Sequence, residues 1–159
     1  MEISTESFRD RLDFNAPLEP SGRLLHGAGH DCEAWDAYCS QMRPPGLLPR
    51  MFMAYTGLKG LKEDPLARFR PYWESATETP PLMQLGLSMT HDGQPEKCYA
   101  DAVARGEHDG AIRRLGEAFV REERPVLIRI GYECTGPWNG YEPDSYVDAF
   151  RRVVGILRE

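Results

Sequence analysis

Four short apolar runs punctuate the chain, and a stretch of helical period follows each. The runs are Gly22 to Ala28, Leu47 to Tyr55, Leu82 to Leu87 and Val126 to Ile130. Their length and bounding glycines and prolines read as buried strands. After the first, Asp31 is placed as an N-cap, and Trp35, Tyr38, Cys39 and Met42 fall at helical spacing until Pro44, Pro45 and Gly46 stop the pattern. After the second, Asp64-Pro65 starts a helix whose apolar stripe is Leu66, Phe69, Tyr72 and Trp73; Pro71 inside it predicts a kink or a split. The third is followed by a short helix, Tyr99 to Ala104, and a longer one, Asp109 to Glu123, with Ile112, Leu115, Phe119 and Val120 on one face. Pro143 opens the last, with Tyr146, Val147, Phe150, Val153, Val154 and Leu157 as its stripe. Residues 1–20, with Pro17 and Pro20, have no sustained period and read as an irregular lead-in with a helical turn near Phe8 to Leu12.

Strand and helix alternate four times, which implies an α/β fold of parallel βαβ units with right-handed crossovers. Gly27 and Gly29 lack the third glycine of a dinucleotide-binding fingerprint. Four βα units without it read as the (βα)4 portion of a TIM (β/α)8 barrel, over residues 21–159. A full barrel typically takes about 250 residues, so the 159 here leave it incomplete. The last helical pattern runs to Glu159 with no closing element. The expectation is a truncated barrel, or a half-barrel that must pair to cover its strand edges and apolar helix faces.

Composition narrows the function. Charged residues are 28% and hydrophobic residues 41%, which suits an ordinary globular domain. A net charge of -6 with no basic patch argues against nucleic acid. No apolar run is long enough for a membrane span, and Met1 to Ser7 has no signal-peptide pattern, so a cytoplasmic location is favoured. Cys32, Cys39, Cys98 and Cys134 form no C-x-x-C pair and are expected to be reduced thiols. With four dispersed histidines, no metal and no cofactor are expected.

The chemistry concentrates where the fourth strand ends. From Gly131 onward the chain delivers Tyr132, Glu133, Thr135, Trp138, Asn139 and Tyr141. A carboxyl group at a strand exit can donate a proton, and flat aromatic rings offer apolar faces to a sugar. The run Arg129-Ile-Gly-Tyr-Glu133-Cys-Thr-Gly136-Pro-Trp138 resembles the fourth-strand motif of glycoside hydrolase family 26, the β-mannanase and related family. There an arginine lies four residues before the acid/base glutamate, a glycine three after it and a tryptophan five after it. The resemblance implies a (β/α)8 barrel with the acid/base after strand four and a nucleophilic glutamate after strand seven. It assigns Glu133 as general acid/base of a retaining glycosidase acting on a β-linked, mannan-like polysaccharide. Tyr132 stands where the family usually has histidine, which marks a divergent member.

Around Glu133 the candidate substrate contacts are Arg129, Tyr132, Trp138, Asn139, Tyr141, His26 and Tyr55, with His30 a weaker one. Four of these have a plainer alternative: an interior ion pair for Arg129, loop packing for Trp138, a turn for Asn139-Gly140 and a packed, hydrogen-bonded His26. A retaining glycosidase needs a second carboxyl group about 5–5.5 Å from the first. Asp31, Asp92 and Glu142 read better as a cap, a turn former and a first-turn residue. The nucleophile is therefore expected in a missing second half. The competing expectations are a carbohydrate-binding or scaffold protein without a nucleophile, and a homo-oligomer of half-barrels.

Overall fold

The computed structural model describes residues 14–16, 19–20, 25–42, 48–74, 81–91 and 93–159. Its centre is one four-stranded sheet in the order β3-β4-β5-β6, every neighbouring pair parallel. The strands are β3 (Gly27–Ala28), β4 (Met51–Gly57), β5 (Leu82–Ser88) and β6 (Val126–Ile130). Before them β1 (Phe14–Ala16) and β2 (Glu19–Pro20) pair antiparallel, where the sequence suggested only an irregular lead-in. The turn expected near Phe8 to Leu12 lies outside the described residues, as does much of the expected first strand.

Among the described residues five α-helices accompany the strands: α1 (Cys32–Gln41), α2 (Arg70–Glu74), α3 (Ala100–Ala104), α4 (Asp109–Glu122) and α5 (Pro143–Leu157). Asp31 caps α1 as expected, its carboxylate accepting the Ala34 N–H at 2.8 Å. The second helical stretch is split as Pro71 predicts, into a 3-10 turn (Ala67–Phe69) and the short α2. Arg70 ties this segment down, bridging Asp64 and Glu122 at 2.6 Å each.

Alternation along the strands divides the sheet into two faces. Phe52 and Ala54, Met83, Leu85 and Leu87, and Val126, Ile128 and Ile130 belong to a single core with Trp35, Tyr72, Ile112, Leu115, Ala149 and Val153 of the helices. Phe52 stacks flat on Tyr72, centroids 4.4 Å apart, and Trp35 meets both edge-on. In the other alternation, Met53 is level with Gln84 and Leu127, and Tyr55 with Gly86 and Arg129. An open hollow of about 440 Å³ runs along β6, lined by Val126, Leu127, Ile128 and Arg129 with Leu25, Met51 and Gln84. Sequential order with no switch point, together with right-handed crossovers, places successive helices on one side of a parallel sheet. This is an α/β fold consistent with part of a (βα)n barrel.

Two helix stripes differ from expectation. Val120 is 75% exposed, while Ala118 takes the buried position in α4. In α5 the buried residues are Ala149 and Val153, and Val147 and Phe150 are each 40% exposed. Arg152 of α5 locks the helices together through a two-pronged pair with Asp109, 2.6 and 2.7 Å. The four cysteines are free thiols.

Candidate active site

The C-terminal end of β6 is fastened before the chain turns. The Gly131 N–H donates to the Leu87 carbonyl at 2.8 Å, and the Tyr146 hydroxyl donates to the Ile130 carbonyl at 3.0 Å. Burial, then a hydrogen bond with Cys134, pushes the Tyr146 phenol up to about 12, so it stays a donor at working pH. Gly131 sits at φ +58, and a Cβ there would come within 2.5 Å of the Tyr146 ring, so backbone conformation and space both call for glycine. Two residues on, Glu133 also adopts a left-handed backbone, φ +53, without being glycine. The turn closes with the Gly136 N–H on the Glu133 carbonyl at 2.9 Å.

Asn139, 1% exposed, completes the clamp. Its side-chain amide donates to the Tyr132 carbonyl at 3.3 Å and the Glu133 carbonyl at 3.2 Å. The Tyr141 hydroxyl accepts the Met89 N–H at 3.0 Å, tying the same loop to the exit of β5. Gly140, at φ +66, lies where any Cβ would fall onto the Pro95 carbonyl.

These supports hold the Glu133 side chain at the surface. Its Oε2 accepts a hydrogen bond from the Trp138 indole Nε1 at 2.8 Å. The Trp138 ring lies across Gly136, where a Cβ would meet it at 2.5 Å, and remains 52% exposed. The indole thus steers a carboxylate while keeping a flat face open to a ligand.

Beside this pair stands an aromatic wall. Tyr132 meets Tyr55 edge-on, centroids 5.0 Å apart, and both rings occupy space that Gly86 leaves vacant; a Cβ at Gly86 would lie 2.6 Å from Tyr55 and 3.0 Å from Tyr132. The Arg129 guanidinium lies 5.8 Å from the Tyr132 ring centre, and its Nη1 donates to the Met53 sulfur at 3.6 Å. The Tyr55 hydroxyl donates to the same sulfur at 3.2 Å. His30 follows β3 and meets Tyr55 edge-on at 6.0 Å.

The structure therefore brings Tyr55, Arg129, Tyr132, Glu133 and Trp138 to the C-terminal side of the sheet. It does not bring His26 there. The His26 carbonyl accepts the Arg50 and Met51 N–H groups at the start of β4, so His26 precedes β3 at the opposite, N-terminal end of the strands. Its Nε2 shares a 2.9 Å hydrogen bond with the Tyr38 hydroxyl. Asn139 faces the backbone of its own loop rather than a cleft. Sequence reasoning passed over Gly86, whose only signal is a glycine interrupting an apolar run, and Arg68, which donates to the Tyr55 carbonyl. Among the described residues no group of three or more histidine, cysteine or carboxylate side chains has the spacing to hold a metal ion.

No family model matches the chain. Two curated proteins are similar to it across most of its length. Beta-1,3-xylanase TXYA of Vibrio sp is 32% identical over 148 residues, which is 89% of this chain and 30% of that protein. The Beta-1,3-xylanase of Alcaligenes sp is 27% identical over 143 residues, 89% of this chain and 29% of that protein. The likeness is to glycoside hydrolases. The chain spans just under a third of the length of either relative.

Proposed function

We propose that the chain carries the acid/base side of a glycoside hydrolase active site, with Glu133 as the proton donor and acceptor. The observation that carries this reading is the fixed Glu133–Trp138 pair. A carboxyl group is held at the end of a buried parallel strand in a strained backbone conformation, beside an exposed indole. Strain of this type persists where the surroundings enforce it and clusters at functional sites. A carboxylic acid so placed can protonate a glycosidic oxygen as the bond breaks, and its conjugate base can then activate water. Tyr132, Tyr55 and Arg129 supply the adjoining wall. The relatives' names make β-1,3-linked xylan the first substrate to test. The family 26 likeness of Arg129, Glu133, Gly136 and Trp138 makes β-mannan the second and a retaining mechanism the expected course. On this reading the four βα units belong to a (β/α)8 barrel, and the nucleophile comes from beyond these 159 residues.

The test is release of reducing ends from β-1,3-xylan and β-mannan by the protein that completes the barrel, with and without Glu133→Gln. Loss of turnover on polysaccharide is expected; unchanged turnover removes Glu133 from the chemistry. A second reading, sugar binding without cleavage, is favoured by what the Glu133 carboxylate meets among the described residues: an indole, not another carboxylate. Oligosaccharide binding with no reducing ends released, weakened by Trp138→Ala, would select it. Closure by a second copy is distinguished by mass: light scattering reads a dimer if half-barrels pair and a monomer if further chain supplies the cover.

A further inference from the structure

Next to the aromatic wall lies a crevice of about 230 Å³ lined by His30, Asp31, Cys32, Tyr55, Arg68, Phe69 and Tyr72. We propose that it is a distal subsite that takes one neutral sugar unit of the glycan whose linkage lies at Glu133; this rests on the reading of Glu133 given above. Three observations converge. The first is position: His30 follows β3, and Arg68 and Phe69 follow β4, so the crevice opens at the same C-terminal end of the parallel strands as Glu133, which follows β6. Tyr55 joins the two places, touching Tyr132 at 5.0 Å on one side and His30 at 6.0 Å on the other.

The second observation is the wall chemistry. The part-exposed Tyr55 ring offers an apolar surface that suits the C–H groups of a sugar ring, and the buried Phe69 and Tyr72 form an apolar floor beneath it. Exposed polar groups stand at the rim: the His30 imidazole, the Asp31 carboxylate and the Arg68 guanidinium. Asp31 uses Oδ1 to cap α1, leaving Oδ2 to accept a hydroxyl. The Arg68 guanidinium, 4.6 Å from the Phe69 ring centre, spends one N–H on the Tyr55 carbonyl and has others to donate. The third is charge and size. The Asp31 and Arg68 charges offset each other, which matches an uncharged polyol and disfavours a phosphate or an acidic sugar. The volume is below the roughly 300–1,000 Å³ of sites for larger ligands, and suits one ring.

The experiment is calorimetric titration of the Glu133→Gln variant of the protein that completes the barrel with β-1,3-linked xylo-oligosaccharides from the disaccharide to the hexasaccharide. Affinity is expected to rise as the ligand becomes long enough to reach the crevice. His30→Ala and Arg68→Ala, each added to that background, are expected to weaken the longer ligands about tenfold, the scale of losing a hydrogen bond to bound ligand. The disaccharide is expected to bind unchanged. His30 is exposed, so its variant leaves the core alone; equal melting temperatures check that Arg68→Ala has not unfolded the segment. Amide shifts at His30 and Arg68 on adding hexasaccharide, absent on adding disaccharide, give a second readout. No length dependence, or equal weakening of every length, overturns the subsite. Length-dependent weakening in a protein whose Glu133→Gln variant still cleaves xylan would sink the Glu133 assignment and leave the subsite standing.

Discussion

Replacing Glu133 by glycine separates what the carboxylate does for chemistry from what it does for the fold. Among the described residues, Glu123 and Glu133 are the non-glycine positions with left-handed backbone, φ +50 and +53. A side chain costs about 1–2 kcal/mol there. Glycine removes that cost but returns roughly 0.4–1 kcal/mol through the freedom it adds to the unfolded chain. The net gain is about 0.5–1 kcal/mol at either site. At Glu133 the lost Trp138 hydrogen bond, partly in solvent, takes back about 0.5 kcal/mol. Glu133→Gly should therefore be as stable as the parent or up to about 0.5 kcal/mol more stable, a rise of at most roughly 2 °C for a chain of this size. Glu123→Gly, at the C-cap of α4, is the internal control and should gain the full amount. Glu133→Gln keeps the strain and should melt within about 1 °C of the parent. Thermal and urea unfolding of the three variants read these differences. A loss above about 1 kcal/mol in Glu133→Gly, with a gain in Glu123→Gly, would show that the carboxylate holds the loop together and that the strain argument is wrong.

Gly140→Ala forces a Cβ onto the Pro95 backbone at positive φ, so it should destabilise by about 2 kcal/mol or more and move Trp138; unfolding and intrinsic fluorescence check both. Phe52→Ala opens a cavity under the Tyr72 stack and should cost about 3–5 kcal/mol by urea denaturation. Arg152 holds the Asp109 carboxyl below its ordinary range. Stability from that pair is present above the unfolded carboxyl value near 3.8 and is lost as pH falls through the lower folded value, so Arg152→Met should flatten the acid limb of a plot of urea midpoint against pH. Burial, helped by Lys59, lowers the His108 imidazole, so protonation opposes folding and stability should begin to fall as pH drops below about 6.5, a slope that His108→Gln should remove.

Legibility followed burial. β5 was plain because a central parallel strand is largely apolar on both alternations, as Leu82 to Leu87 are apart from Gln84. The edge strand β6 was plain because Val126 to Ile130 is a short apolar run rich in β-branched residues, broken only by Arg129. The helix starts at Asp31 and Pro143 were legible because capping is local chemistry. Val120 was misplaced by too wide a stripe: five residues beyond Leu115 it is about 140° round the helix. Within the described part of the expected first strand, Leu25 and His26 are not paired as strand and β3 is confined to Gly27 and Ala28; a Cβ at Gly27 would lie 2.7 Å from the Met51 methyl group. At the site, Glu133 and Trp138 announced themselves by type and spacing, but their hydrogen bond depends on Gly136 leaving room for the indole. Asn139 followed by Gly140 fits either a turn or a sugar ligand, and only the carbonyls of Tyr132 and Glu133 within its reach decide between them. The wall of Tyr55 and Tyr132 was hidden because it joins residues 77 positions apart through the register of β4, β5 and β6.

The open sheet face and the single carboxylate are two aspects of one demand. Purely parallel sheets occur almost only with both faces covered. Here the described helices share one core with one face, while Leu25, Met51 and Leu127 border an open hollow. The sheet order ends at β6, so that strand has no neighbour beyond it among the described residues. Along α5, Val147 and Phe150 lie on one flank and are exposed together. Among the described residues one sheet face lies uncovered, the β6 edge unpaired and an apolar flank bare, and on the proposed reading further strands and helices in the same arrangement would satisfy all three at once. Such strands would, on that reading, curve toward β3 and carry their own C-terminal ends to the rim that holds Glu133. On the proposed reading, the element that covers Leu127 and Met51 therefore also delivers the second carboxylate. Substitutions that weaken this closure, such as Val147→Asp or Phe150→Asp, would then reduce turnover and stability together even though neither residue is at the site.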